Sequence, residues 1–214
     1  MIAAQQNAET VIVLDFETTG LSPDQGDRAI EIGAVKLVDG EVSDTFQQLM
    51  YPGKRINSFI EDYTGISNNM LTNAPPCASV MREFSDFIGD FNLVAHNASF
   101  DSRFLAAELQ RIKLEQHAEF ACSMLIARRV YPDAPNHKLG TLVNYKHLPN
   151  DGTFHRALAD SQMTAHLWLT MINEIKTKHA FEYVAFDVMQ KLSRTAKSSV
   201  FNFLHAAAGS PVSR

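Results

Sequence analysis

The chain has 214 residues, 45% of them hydrophobic and 20% charged, with 10 Gly and 8 Pro, a globular composition sized for one domain or one domain with an appendage. Collagen-like, mucin-like and wholly disordered readings are excluded, and no run of about 18 apolar residues offers a transmembrane helix. The net charge of −5, from 19 basic and 24 acidic residues, argues against a protein that wraps long duplex DNA.

Residues 1–10, MIAAQQNAET, form a polar lead-in without the basic and apolar regions of a secretory signal. TVIVLDFET then reads as a buried strand, with Ile12, Leu14 and Phe16 facing one way and Val11, Val13, Asp15 and Glu17 the other. Residues 29–37 continue with β-type side chains, Asp39-Gly40 is a hairpin turn, and residues 42–50 return. Three antiparallel strands are expected.

The period changes over residues 75–91, where Val80, Phe84, Phe87, Ile88 and Phe91 recur at helical spacing after Pro75-Pro76. Residues 92–96 are too short an apolar run for a helix and read as a strand. Residues 100–112 return to helix through Phe104, Leu105, Leu109 and Ile112. Shorter helices are expected over 122–130 and 138–145, separated by the breaker YPDAPN. Asn150-Asp151-Gly152 is a turn before a long helix over 157–175, with Met163, Leu167, Met171, Ile172 and Ile175 inward. Residues 177–214 carry an amphipathic stretch (Phe181, Val184, Val188, Leu192), basic Lys191, Arg194 and Lys197, and a tail expected to fray. The order points to an α/β layer with a mixed sheet over residues 11–176 and a C-terminal helical appendage over 177–214. Cys77 and Cys122 form no CxxC pair and fit a reducing, cytoplasmic compartment.

Phosphate loops, dinucleotide fingerprints, HExxH and GxSxG are absent. What stands out are acids at the ends of elements. Asp15 and Glu17, two apart on one strand, point to the same face. Asp101 opens a helix after the short strand that ends at His96-Asn97. Asp160 follows His155 by five residues at the start of the long helix. Each has a plainer reading alone: a strand end reaching water, an acid favoured by a helix dipole, a surface histidine. Together, four carboxylates suit hard divalent cations such as Mg²⁺. Two such ions can clamp the attacking and leaving oxygens of a phosphodiester displacement, with a histidine taking the proton of the attacking water.

The motifs LDFETTGL (14–21), AHNASFD (95–101) and HRALADS (155–161), supported by IEIGAV (30–35), TGIS (64–67) and ARRVYP (127–132), resemble those of the DnaQ-like DEDDh 3′–5′ exonucleases over about residues 10–176. The resemblance implies an RNase H-like α/β fold, a five-stranded mixed sheet flanked by helices. It implies that Asp15 bridges two metals, that Glu17 and Asp160 complete the first site, that Asp101 supports the second through water, and that His155 is the general base. Backbone around Thr18, Thr19, Gly20 and Leu21 is expected at the terminal sugar and base. Leu21 and Ile66 are expected as wedges, and His96, Asn97 and Phe100 along the strand path, with core packing the alternative for Ile66 and Phe100.

The implied activity is Mg²⁺- or Mn²⁺-dependent release of 5′-mononucleotides from a nucleic-acid 3′ end, single-stranded or frayed, with DNA favoured over RNA. Alternatives are an exoribonuclease of the RNase T or oligoribonuclease kind, and an inactive nucleic-acid-binding or polymerase-associated scaffold on the same fold. The C-terminal appendage is a candidate for contact with a polymerase or a second copy. No membrane association is expected.

Overall fold

The first apolar run becomes the middle strand of a sheet. In this computed structural model, which describes residues 7–150, 152 and 155–209, strand β1 (Val11–Thr18) pairs antiparallel with β2 (Ala29–Val38), and β2 antiparallel with β3 (Glu41–Leu49). On its other side β1 pairs in parallel with β4 (Leu93–Ala95), and β4 in parallel with β5 (Phe120–Cys122). The order β3-β2-β1-β4-β5 is the five-stranded mixed sheet the resemblance implies. Asp39 and Gly40 take φ of 51° and 84°, as a two-residue turn between twisted strands requires.

The described helices are α1 (Ser58–Thr64), α2 (Asn68–Thr72), α3 (Cys77–Ile88), α4 (Ser99–Arg111), α5 (Ser123–Val130), α6 (Leu139–Tyr145), α7 (Ala157–His179), α8 (Phe186–Arg194) and α9 (Val200–Ala208). They cover both faces of the sheet, and the alternation along β1 sorts the core into two halves. Val11 and Val13, with Val35 and Leu37 of β2, lie under Leu167, Trp168, Met171, Ile172 and Ile175 of α7. Ile12, Leu14 and Phe16, with Ile32 and Ala34, lie under Val80, Met81 and Phe84 of α3 and Phe104, Leu105 and Leu109 of α4.

Three elements lie where the sequence pattern assigns none. Helices α1 and α2 have seven and five residues, too few for a helical period to emerge. Local capping defines them instead: Asn57 Oδ1 accepts from Ile60 N at 3.0 Å, and Ser67 Oγ from Met70 N at 3.2 Å. Strand β5, three residues long, takes Phe120 and Ala121 and, with Cys122, starts the following helix one residue later than the pattern predicts.

At Gly33 the backbone of the first turn of α7 lies directly against the sheet. A Cβ there would stand 2.1 Å from Leu158 N and 2.2 Å from Ala157 C, so only glycine admits the backbone of the helix's first turn. Ser161 Oγ donates to Gly33 O at 2.9 Å and fixes the contact.

The boundary expected at residue 176 falls inside α7. Beyond it, Val184, Phe186, Met189, Leu192 and Leu204 join the core half that holds Trp168 and Met171. Ala8 N donates to Val184 O at 2.8 Å, and Trp168 Nε1 to Ala8 O at 2.7 Å, so the end of the lead-in is tied to the chain after α7. Of the tail expected to fray, residues 201–208 belong to α9 instead, and residues 210–214 lie outside the described residues, as do the first six residues of the lead-in and Asp151 of the expected turn. No described helix is long and apolar enough to cross a membrane.

Two substitutions check this packing by urea denaturation followed through Trp168, the only tryptophan. Leu192→Ala is expected to cost about 2–5 kcal/mol, the usual range for a truncated core leucine. Gly33→Ala is expected to cost about 1–3 kcal/mol, because the added methyl must push the start of α7 off the sheet.

Candidate active site

The α7 face of the sheet is apolar under the body of that helix and acidic under its first turn. Asp15 lies opposite Gly33, and Glu17 opposite Glu31, in the β1–β2 register. Asp160, in the first turn of α7, comes down onto the same end. Carboxylate oxygens of Asp15, Glu17 and Asp160 all lie within 4.8 Å of one another. Asp101, in the first turn of α4, is outside this trio. It is 2% exposed, its Oδ1 accepts from Phe16 N at 3.2 Å, and its charge is the strongest of those that disfavour ionised Asp15.

Burial, then the neighbouring acids, pushes the Glu17 carboxyl up to about 8, with Arg156 opposing the rise. Burial pushes Asp101 up to about 8 against the hydrogen bond from Phe16. Asp15 is raised well above the carboxylate range by burial and by Asp101, Glu17, Asp160 and Glu31. Asp160 is raised by burial, with His155 opposing. An all-oxygen donor set of mutually repelling acids fits a hard divalent cation, which would replace the protons that otherwise relieve the repulsion.

His155 stands at the mouth of the cluster. Its backbone takes a left-handed φ of 60°, uncommon for a non-glycine residue, and its N–H donates to Asp160 Oδ2 at 2.9 Å. Its exposed ring stacks on Tyr63, with centroids 3.9 Å apart and planes tilted by 35°.

A cleft of about 700 Å³ opens above the acids. Its walls include residues 16–21 of β1 and the following turn, Asn57, Phe59, Ile60, Tyr63 and Thr64 of α1 and its cap, His96, Phe100 and Leu139. Leu21, Phe59 and Tyr63 are the exposed apolar groups of this wall, at 74%, 69% and 50%. The turn at Gly20 is held by Asp27, which accepts from Thr19 Oγ1 and Ser22 N, both at 3.0 Å, and fills the space a Cβ on Gly20 would need. Thr18 Oγ1 donates to Gly20 O at 2.6 Å.

His96 is fixed in the wall. Its Nε2 lies 2.9 Å from His137 O, which can only accept, and its Nδ1 2.8 Å from Ser123 Oγ. Burial lowers its pKa to about 4, so it is neutral, donates through Nε2 and accepts through Nδ1.

The structure thus brings Asp15, Glu17, Asp160, His155, Thr18, Thr19, Gly20, Leu21, His96 and Phe100 to one cleft, with Asp101 behind it. Asn97 is exposed and is not among the lining residues. Ile66 is fully buried with Ile30, Ile56 and Leu71. The alternative of core packing describes its position, because the left-handed Gly65 ends α1 and turns the chain inward. The sequence reading missed Asn57, Phe59 and Tyr63. The spacing of two aromatics at i, i+4 was the available signal, and it lies on a helix too short to recognise.

Residues 12–168 match the family model described as exonuclease, RNase T type. The chain is 39% identical over 173 residues to the PolC-type DNA polymerase III of Bacillus subtilis (strain 168), and 38% over 177 residues to that of Bacillus cereus. These matches cover 79% and 82% of this chain, which spans 12% of the length of either relative. Among solved structures, exonuclease X in complex with 5′ overhanging duplex DNA superposes with a TM-score of 0.67 at 27% identity, covering 86% of this chain and 99% of that one. The nuclease domain of 3′hExo, a DEDDh family member bound to rAMP, gives 0.66 at 23% identity, covering 78% and 92%.

The raised acids have a consequence for stability. A carboxyl whose pKa rises on folding supports the fold below its ordinary value near 4.5 and loses that support as pH climbs through about 8. The melting temperature of the metal-free protein is therefore expected to fall between about pH 5 and pH 8. Millimolar Mg²⁺ is expected to raise the melting temperature of the parent protein at pH 8, and Glu17→Gln is expected to flatten the pH-dependent fall and to remove that rise. Differential scanning calorimetry over the pH range checks both. An unchanged slope in the variant would remove Glu17 from the repelling cluster.

Proposed function

The chain belongs to this exonuclease family as a DnaQ-like, DEDDh-type 3′–5′ exonuclease domain, and we propose that it releases 5′-mononucleotides one at a time from single-stranded or frayed 3′ ends of DNA. The observation that carries this reading is the meeting of Asp15, Glu17 and Asp160 within 4.8 Å, with His155 bonded to Asp160 through its backbone.

Asp15, Glu17 and Asp160 would hold divalent cations, Mg²⁺ or Mn²⁺, with Asp101 supporting the second. Two such ions would supply Lewis-acid charge to the scissile phosphodiester. His155 accepts the proton of the attacking water at an imidazole nitrogen. The water oxygen bonds to the terminal phosphorus, and the bond to the 3′ oxygen of the penultimate nucleotide breaks. The nucleotide leaves with its 5′ phosphate, and the 3′ oxygen left on the strand takes a proton from solvent water to become a hydroxyl.

Backbone at Thr18–Leu21 meets the terminal sugar and base in this reading. Leu21, Phe59 and Tyr63 present apolar surface to unstacked bases, which favours an end already single-stranded. Phe100 and the fixed, neutral His96 line the path of the strand.

The PolC-type DNA polymerase relatives and the DNA-bound exonuclease X favour DNA. The rAMP-bound neighbour favours the second reading, RNA trimming with the same chemistry. Contact with a polymerase or a second copy would fall on α8 and α9, where Phe201 is 66% exposed. A reducing, cytoplasmic setting agrees with two free thiols, Cys77 and Cys122.

The test is incubation with 3′-ended single-stranded DNA and the matching RNA, in Mg²⁺ and in EDTA. Stepwise shortening of DNA in Mg²⁺ only is expected, absent in Asp15→Asn and slowed about 10²–10⁴-fold in His155→Ala, the usual range for a lost general base. Faster shortening of RNA would move the chain to the RNA-trimming reading. No cleavage of either by folded protein would return it to a binding role.

A further inference from the structure

Helix α7 starts without a side-chain cap of its own. Its N-cap residue is Arg156, whose side chain makes no capping hydrogen bond. The cap comes from the sheet instead: Glu31 of β2 accepts from Ala157 N through Oε2 at 3.1 Å. The same carboxylate takes Arg156 in a two-point pair, Nε to Oε2 at 3.1 Å and Nη2 to Oε1 at 2.7 Å, and Gln47 Nε2 donates to Oε1 at 3.0 Å. Glu31 is fully buried, and the Arg156 side chain is 32% exposed.

This joint sits between the proposed base and the last acid. His155 precedes Arg156, is itself exposed, and holds a left-handed backbone that needs outside support. Asp160 lies in the first turn that Glu31 caps. Glu31 faces Glu17 across the β1–β2 register, and the charge of Arg156 reaches Glu17. A buried ion pair is a poor way to gain stability, since apolar residues of similar size often serve as well. A two-point guanidinium–carboxylate pair fixes orientation as well as distance.

We propose that Glu31 and Arg156 are positioning residues, a clamp that sets the first turn of α7 so that Asp160 and His155 meet Asp15 and Glu17. The proposal rests on the catalytic reading of His155 and Asp160. Neither residue belongs to the acidic trio or lines the cleft, so the clamp acts through the residues on either side of it.

The test compares the full chain with Arg156→Gln and Arg156→Lys in two measurements, Mn²⁺ affinity by titration calorimetry and turnover of a single-stranded 3′-ended DNA. Arg156→Gln is expected to lose about 10–100-fold in Mn²⁺ affinity and a similar factor in kcat, the range for partners that orient metal ligands, with KM within about twofold. Arg156→Lys keeps the charge but not the fork and is expected to recover part of both. Wild-type Mn²⁺ affinity in Arg156→Gln, or a loss confined to KM, overturns the clamp. If Arg156→Gln does not fold, Arg156→Lys decides, since weakened Mn²⁺ binding supports the clamp and unchanged binding overturns it. If the parent protein binds Mn²⁺ but shortens neither DNA nor RNA, the exonuclease reading falls while the Mn²⁺ comparison still decides the clamp.

Discussion

Carboxylates crowded at the end of a sheet repel one another, and the fold must hold them together against that repulsion. Two unit charges 4–5 Å apart repel by about 3–4 kcal/mol at an effective dielectric of about 20. Asp15, Glu17 and Asp160 approach within 4.8 Å, with Asp101 behind them. Burial raises all four carboxyl pKa values, and at Asp15 and Glu17 the neighbouring acids raise them further. A divalent cation would relieve the repulsion with the carboxylates ionised, so the same arrangement that costs stability suits such an ion.

Two buried glutamates show how the helices are held in spite of this. Glu31 on β2 grips Arg156 and the first amide of α7. Glu108 on α4 grips Arg28 at two points, 2.8 and 2.9 Å, and the amide of Ala29 at the start of β2. The helices that carry Asp160 and Asp101 are thus each joined to the beginning of one strand. Gly33 on that strand lets α7 approach until its backbone occupies the place of a side chain. The positive end of the α7 dipole points toward the acids and favours their charged form. The apolar sandwich behind this end supplies the cohesion.

The main strands and long helices were legible because their patterns are long enough to be periodic. β1 alternates over eight residues, and its two faces divide as the sequence predicts. The period of α3 and the hairpin at Asp39-Gly40 were equally plain. α1, α2 and β5 were not, since their formation depends on single caps and on pairing with a distant strand. With α1 went Phe59 and Tyr63, two of the three exposed apolar groups of the cleft wall. Ile66 shows the opposite difficulty. A motif marked it, but the direction of its side chain depends on how Gly65 turns the chain, and that turn buries it with Ile30 and Leu71. A change in composition marks a boundary at residue 176, whereas α7 runs through it and α8 packs on the same core.

The sequence alone determined on which elements the candidate acids sit. Asp15 and Glu17 share a strand face because side chains alternate, and Asp101 and Asp160 open helices because the apolar period begins beside them. These are local consequences of chain geometry. Only the tertiary structure decided that the four meet, that three form one group while Asp101 stands behind, and that His155 leans on Tyr63. It also decided that a glutamate 125 residues from Arg156 caps the helix bearing Asp160. Those facts depend on strand order, on the missing side chain of Gly33 and on contacts between residues far apart in the chain, which no local pattern encodes.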